Sequence, residues 1–265
     1  MESIPLHPGT PPGQETVPGG EVPLLTLYPA ANPRRHGAVV VCPGGGYAGR
    51  APHEAGVVAE WLNSVGVSAA VVDYRVAPFR HPCPLLDAQR AIRWVRHQAP
   101  AWNLDPSRIG ILGFSAGGHL AATSATHYDA GDPTASDPVA RESCRPDAAV
   151  LCYPVITFRQ HLHQGSMENL LGPAPDAARR AALSAEANVS ADSPPMFLWH
   201  TADDGGVSVQ NSLLLAAALG QQGVPFELHV FPRGAHGLGL APDDPVVGQW
   251  TGLCARWLQG LGFAG

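Results

Sequence analysis

The sequence predicts one doubly wound α/β domain, a mainly parallel sheet with helices on both faces. Three observations carry this. Short continuous apolar runs alternate with segments of helical spacing. The runs lack the in–out alternation of a half-exposed strand, so both of their faces must be covered, as those of parallel strands are. Hydrophobic residues make up 45% of the 265 positions against 14% charged, enough for the core of one large domain.

The elements follow in order. Residues 1–23 are crowded with Pro and Gly and predict an arm leading into a single domain, 24–265. The first strand is Leu24–Tyr28 and the second Ala38–Cys42. A helix over Glu54–Val65 stops at Gly66, followed by a strand at Ser68–Val72. Leu85–Gln98 is a helix carrying Ile92, Trp94 and Val95. Arg108–Leu112 is a strand and Ala116–Thr126 a helix. Strands at Ala148–Cys152, Met196–Trp199 and Glu227–Phe231 complete the sheet, with helices at about Ser208–Gln221 and Val247–Leu258. Two long segments interrupt the alternation, Tyr128–Pro146 and Thr157–Pro195. The second carries two short helical patterns, Ser166–Leu171 and Asp176–Leu183. Insertions of this length in a compact domain are usually functional.

Composition excludes several classes. The chain holds 30 Gly and 27 Pro, a proline share about twice the usual one, but its apolar content excludes disorder and there is no collagen period. A net charge of −6 and a pI near 6.0 argue against a nucleic-acid partner. All 16 basic residues are Arg, which excludes Schiff-base, pyridoxal-phosphate and P-loop chemistry, each of which needs a lysine amine. The five cysteines form no C-x-x-C pair, so no structural zinc is expected, and Cys42 and Cys152 read as small buried hydrophobes. No apolar stretch reaches membrane-spanning length and the first twelve residues lack a leader pattern. The expectation is a soluble, cytoplasmic protein with no membrane partner, no metal and no cofactor.

The chemistry gathers at strand ends. Gly113-Phe114-Ser115-Ala116-Gly117 is G-x-S-x-G, directly after a strand and opening a helix. That context turns a common pattern into a nucleophile elbow, with the hydroxyl projecting at the carboxyl edge of the sheet. The alternative is a tight turn with an idle Ser. Pro43-Gly44-Gly45-Gly46-Tyr47 follows an earlier strand and exposes backbone N–H groups of the kind an oxyanion hole needs. Gly45, Gly46 and Ala116 are the candidate donors. A Walker-type phosphate loop would need G-K-[ST], which is absent. A serine nucleophile needs a base, and His serves best near neutral pH. Of twelve histidines, His236 in Gly234-Ala235-His236-Gly237 lies in the loop after the last strand. His119, one turn into the nucleophile helix, reads as packing, and His161 and His163 as surface-loop residues. Trp199-His200-Thr201-Ala202-Asp203-Asp204 offers two carboxylates, Asp203 and Asp204, to orient the base.

These motifs, with Asp73-Tyr74-Arg75, Gly118-His119-Leu120, Tyr153-Pro154-Val155-Ile156 and Asn169-Leu170-Leu171-Gly172, resemble bacterial α/β-hydrolase esterases. The branch is the acetyl xylan esterase-like group, which includes feruloyl esterases and is related to the hormone-sensitive-lipase branch. The resemblance covers roughly residues 24–262. It implies the α/β-hydrolase fold, with the triad in the order Ser115, acid, His236. It selects Asp204 as the acid, three residues before Val207, leaving Asp203 as a turn or capping residue. Two departures stand out. Pro43 replaces the His of H-G-G-G, and Ser208 stands where a Pro commonly follows the Val, an exchange expected to loosen the Asp loop. The activity implied is carboxylic-ester hydrolysis on a small-molecule or carbohydrate ester, often sugar deacetylation. Tyr47, His53 and the insertion at 157–195 are expected to border the pocket, and the lack of a large lid favours short acyl groups. The competing readings are a feruloyl esterase, a serine peptidase or arylformamidase of the same fold, and a non-catalytic binding protein, which would be expected to have lost Ser115 or His236.

Overall fold

The buried run His36–Cys42 shows why the sheet needs two helical layers: Val39 and Val41 enter one apolar cluster, and Ala38, Val40 and Cys42 enter the other. Successive side chains of a strand point to opposite faces, so an all-apolar strand must be covered twice. The computed structural model describes residues 2–265. Its strands are β1 (Glu2–Pro5), β2 (Leu24–Tyr28), β3 (His36–Cys42), β4 (Ser68–Asp73), β5 (Leu104–Phe114), β6 (Ala149–Cys152), β7 (Met196–Thr201) and β8 (Phe226–Phe231). Its helices are α1 (Gly56–Ser64), α2 (Cys83–Gln98), α3 (Ser115–Thr126), α4 (Gln164–Leu171), α5 (Ala177–Ala182), α6 (Gln210–Gln221) and α7 (Gln249–Gly260).

One sheet runs β1-β2-β4-β3-β5-β6-β7-β8. The β1–β2 and β2–β4 pairs are antiparallel; every other pair is parallel. Helices α2, α3 and α6 cover one face with Ala88, Ile92, Val95, Leu120, Leu215 and Leu219. Helices α1 and α7 cover the other with Val58, Leu62, Trp250, Cys254 and Leu258. The strand order reverses direction between β3 and β5. In open α/β sheets the crevice at such a switch point, outside the carboxyl ends of the strands, is where ligands bind.

Two expectations need correction. The Pro- and Gly-rich arm carries a strand of its own. Ser3 and Ile4 pair with Thr26 and Leu25, and Leu6 is buried behind them. Beyond it the segment is fastened by polar contacts. Arg50 grips both Glu21 carboxylate oxygens at 2.9 and 2.8 Å, and the Pro12 carbonyl accepts from Arg75 at 2.8 Å. Polar contacts of this kind leave no periodic trace in sequence. The first helix also starts later than its pattern suggests. Pro52–Glu54 forms a single 3-10 turn and Ala55 leaves helical geometry, so Glu54 stands outside α1 and turns its side chain back into the protein. All five cysteines are free and buried, Cys42 and Cys152 among the core apolar side chains. No helix among the described residues is long and apolar enough to cross a membrane.

Candidate active site

The site is built at the carboxyl ends of β3, β5, β6, β7 and β8. Strand β5 ends at Phe114 and α3 begins at Ser115 with no intervening loop. The turn forces Ser115 to φ 52°, a left-handed conformation that costs an L residue about 1 kcal/mol or more. Its neighbours must be glycine for steric reasons. A Cβ on Gly113 would lie 2.0 Å from the Gly117 carbonyl oxygen, and one on Gly117 would lie 2.1 Å from that of Cys42. The elbow therefore presses against the end of β3 and brings the glycine loop to Ser115.

Ser115 Oγ lies 2.8 Å from His236 Nε2, and His236 Nδ1 lies 2.7 Å from Asp204 Oδ2. Nδ1–H donates to the carboxylate, which leaves Nε2 to accept from the serine hydroxyl. The carboxylate is completely buried. Its Oδ1 accepts from the N–H groups of Gly206 at 2.8 Å and Val207 at 2.9 Å. Burial acts to raise the Asp204 pKa, but hydrogen bonds from His200, His236 and Val207 overcome it and hold the carboxyl well below the usual carboxylate range. Asp203 faces elsewhere: its Oδ1 accepts from Gly234 N–H at 2.8 Å, while Thr201 Oγ1 donates to the Gly234 carbonyl at 2.8 Å. The neighbouring aspartates thus divide the work, one meeting the imidazole and one holding its loop. Ser208 Oγ accepts from Gln210 N–H at the start of α6.

The glycine loop presents a defined set of donors. Gly44 N–H is spent on Glu54 Oε2 at 2.7 Å. Gly45 and Gly46 N–H make no hydrogen bond among the described residues. Ala116, in the first turn of α3, has no intrahelical acceptor for its N–H. Helix α4 backs the loop, with Asn169 Nδ2 donating to the Gly46 carbonyl at 2.9 Å.

Tyr47 is a correction. It is 1% exposed and its hydroxyl bonds His119 Nδ1 at 2.8 Å, so its side chain packs behind the loop instead of facing a substrate. The core takes the ring because Tyr47 adopts φ 58° and points it away from the donors. His119 is packing, stacked on Phe158 and bonded to the Leu183 carbonyl. His53 is exposed and donates from Nε2 to the Gly237 carbonyl at 2.8 Å, beside His236. His161 is exposed, whereas His163 is half-buried and caps α4 by accepting from Ser166 N–H at 3.2 Å. Burial and then repulsion from His236 lower the His163 pKa. No cluster of three or more His, Cys, Asp or Glu able to hold a metal is found among the described residues. Two surface clefts of about 530 and 830 Å³ lie elsewhere, one lined by Tyr28 and Trp102 and one by Val17, Arg80 and Cys83. Convergent hydrogen bonding, not cavity size, marks the site.

Sequence reasoning missed Glu54, Tyr153, Asn169 and His200. Tyr153 and Asn169 lie in motifs that carried the family resemblance without a role attached. Glu54 was hidden inside an apparent helix start.

Fold and site together define an α/β-hydrolase, with the Ser115 turn at the end of β5 and the His236 loop after β8. The chain belongs to the BD-FAE family, whose model matches residues 25–219. It is 38% identical over 239 residues to endo-1,4-beta-xylanase B of Butyrivibrio fibrisolvens, covering 88% of this chain and 37% of that protein. It is 32% identical over 231 residues to an acetylxylan esterase of Xylanibacter ruminicola, covering 85% and 44%. The chain thus spans less than half the length of these two curated relatives. Among solved structures, the acetyl ester-xyloside bifunctional hydrolase of Caldicellulosiruptor lactoaceticus matches with a TM-score of 0.96 at 52% identity, covering 100% of this chain and 97% of that one. The carboxylesterase Cest-2923 of Lactobacillus plantarum matches with a TM-score of 0.74 at 26% identity, covering 91% and 93%.

Proposed function

We propose that the protein is a serine carboxylesterase that removes short acyl groups, acetyl above all, from carbohydrate esters. The reading rests on one observation, the hydrogen-bonded line from Ser115 Oγ through His236 to Asp204, at 2.8 and 2.7 Å. Ser115 Oγ attacks the ester carbonyl carbon while its proton passes to His236 Nε2. Asp204 stabilises the imidazolium and keeps Nδ1 protonated. The oxyanion formed is held by the N–H groups of Gly45, Gly46 and Ala116. The C–O bond to the leaving alcohol then breaks as His236 returns its proton to that oxygen. Water, giving a proton to the same nitrogen, attacks the acyl-enzyme and releases the acid and free Ser115. No step calls for a metal or organic cofactor. The carbohydrate part of the reading draws on the relatives whose names refer to acetylxylan and to an acetyl ester-xyloside substrate.

The test is a series of nitrophenyl esters from acetate to palmitate, with acetylated xylan and a feruloylated sugar alongside. The expected outcome is highest kcat/KM on acetate and release of acetate from xylan. Ser115→Ala should lose about 10⁵-fold or more in kcat, keeping only the residual rate that the oxyanion donors and binding supply. Asp204→Asn should lose at least 10³-fold in kcat, and Asp203→Asn far less. A Ser115→Ala variant within about tenfold of the parent in kcat overturns the mechanism. A preference for long chains overturns the short-acyl assignment, and a preference for the feruloylated sugar makes the enzyme a feruloyl esterase.

A further inference from the structure

The glycine loop and the histidine loop reach the site from opposite sides, on β3 and β8, yet the oxyanion donors and the base must hold one spacing. A single buried carboxylate spans the gap. Glu54 is 2% exposed and the reaction described above does not use it. Its Oε2 accepts from Gly44 N–H at 2.7 Å, and its Oε1 accepts from the Tyr153 hydroxyl at 2.5 Å. That hydroxyl in turn accepts from Gly239 N–H at 2.8 Å, three residues beyond His236. The Gly239 carbonyl is held by Trp250 Nε1 at 3.1 Å. The Tyr153 ring stands edge-on to His236, with centroids 5.1 Å apart.

We infer that Glu54 and Tyr153 are positioning residues, a hydrogen-bonded clamp that sets the spacing between the oxyanion donors and His236. The inference rests on the serine-esterase reading above. Three features of the clamp suit that task. A buried carboxylate is costly unless its oxygens are satisfied, and this one is satisfied by one group from each loop's support. By taking up Gly44 N–H, it leaves Gly45 and Gly46 as the donors that face the reacting carbonyl. And Tyr153 sits at φ 36°, a conformation an L residue rarely adopts, which aims its hydroxyl between the two loops. A displacement of either loop by a fraction of an ångström acts on the transition state far more than on ground-state binding.

The experiment measures kcat and KM on nitrophenyl acetate for Tyr153→Phe, Glu54→Gln, the double variant and Ser115→Ala, with thermal melts of each. Tyr153→Phe removes one oxygen and keeps the ring packed on Phe114 and Trp199, so it should stay folded. It should lower kcat about tenfold with KM within about twofold. Glu54→Gln has one acceptor where two are needed and should cost at least as much. The double variant should be no slower than Glu54→Gln within about threefold, because one linkage is being cut twice. A Tyr153→Phe variant with kcat within twofold of the parent overturns the clamp. So does a rise in KM alone, or a double variant whose losses multiply. If Ser115→Ala is inactive while Tyr153→Phe is fully active, only the clamp fails. If Ser115→Ala remains active, the esterase mechanism fails and the clamp with it.

Discussion

His119 and His236 lie 117 residues apart in the chain and do opposite things. His236 is partly open and bonded to Ser115; His119 is fully buried, bonded through Nδ1 to the Tyr47 hydroxyl and through Nε2 to the Leu183 carbonyl. Burial, only partly offset by the Leu183 carbonyl, lowers the His119 pKa from 6.5 to about 4. The folded state therefore resists a proton that the unfolded chain accepts. Stability from this group is fully present above pH 6.5 and is lost as pH falls toward 4, by about 3 kcal/mol at most. His119→Gln should flatten the dependence of unfolding free energy on pH across that window, measured by denaturant titration at pH 7, 5.5 and 4. Parallel curves for parent and variant would show that His119 does not titrate this way. At this scale the sequence identified Ser115 and His236 as candidates through local motifs. It assigned Tyr47 to the pocket because the residue follows the glycine loop. Whether that side chain faces substrate or core depends on one backbone dihedral that no motif reports.

The β5–α3 junction is the element on which the site depends most. Its sequence carries its own geometry, since a strand that turns into a helix with no loop needs a left-handed residue at the turn between small residues. Gly117→Ala places a Cβ 2.1 Å from the Cys42 carbonyl and 2.4 Å from that of Pro43, contacts between two backbones that cannot both give way. The expected cost is about 3 kcal/mol or more, seen as a lower melting temperature or loss of soluble protein. A melting temperature unchanged from the parent would mean that β3 and α3 can separate there. Helix α1 was less legible. Its apolar spacing is plain, but the turn at Pro52–Glu54 that precedes it is decided by Glu54 reaching Gly44, a contact ten residues back in the chain.

Across the whole molecule, β1 is the short outermost strand of the sheet and covers the longer β2. It pairs antiparallel with β2, whose Leu25 and Leu27 are buried, and an uncovered edge invites pairing with other chains. Removal of residues 1–5 should shift the protein toward aggregates in size-exclusion chromatography while the fraction that stays unaggregated keeps its activity. An unchanged elution profile would show that β2 tolerates exposure. By itself the sequence determined the layered α/β architecture, the family and the carboxyl-edge loops that bear the candidate chemistry, because hydrophobic periodicity and turn motifs act over a few residues. The tertiary structure brought Asp204, which the family resemblance had already chosen over Asp203, onto His236, and it alone decided that β1 joins the sheet and that Glu54 and Tyr153 link two loops. Those outcomes depend on groups 32, 23 and 99 residues apart meeting in space, and only the packed sheet brings them together.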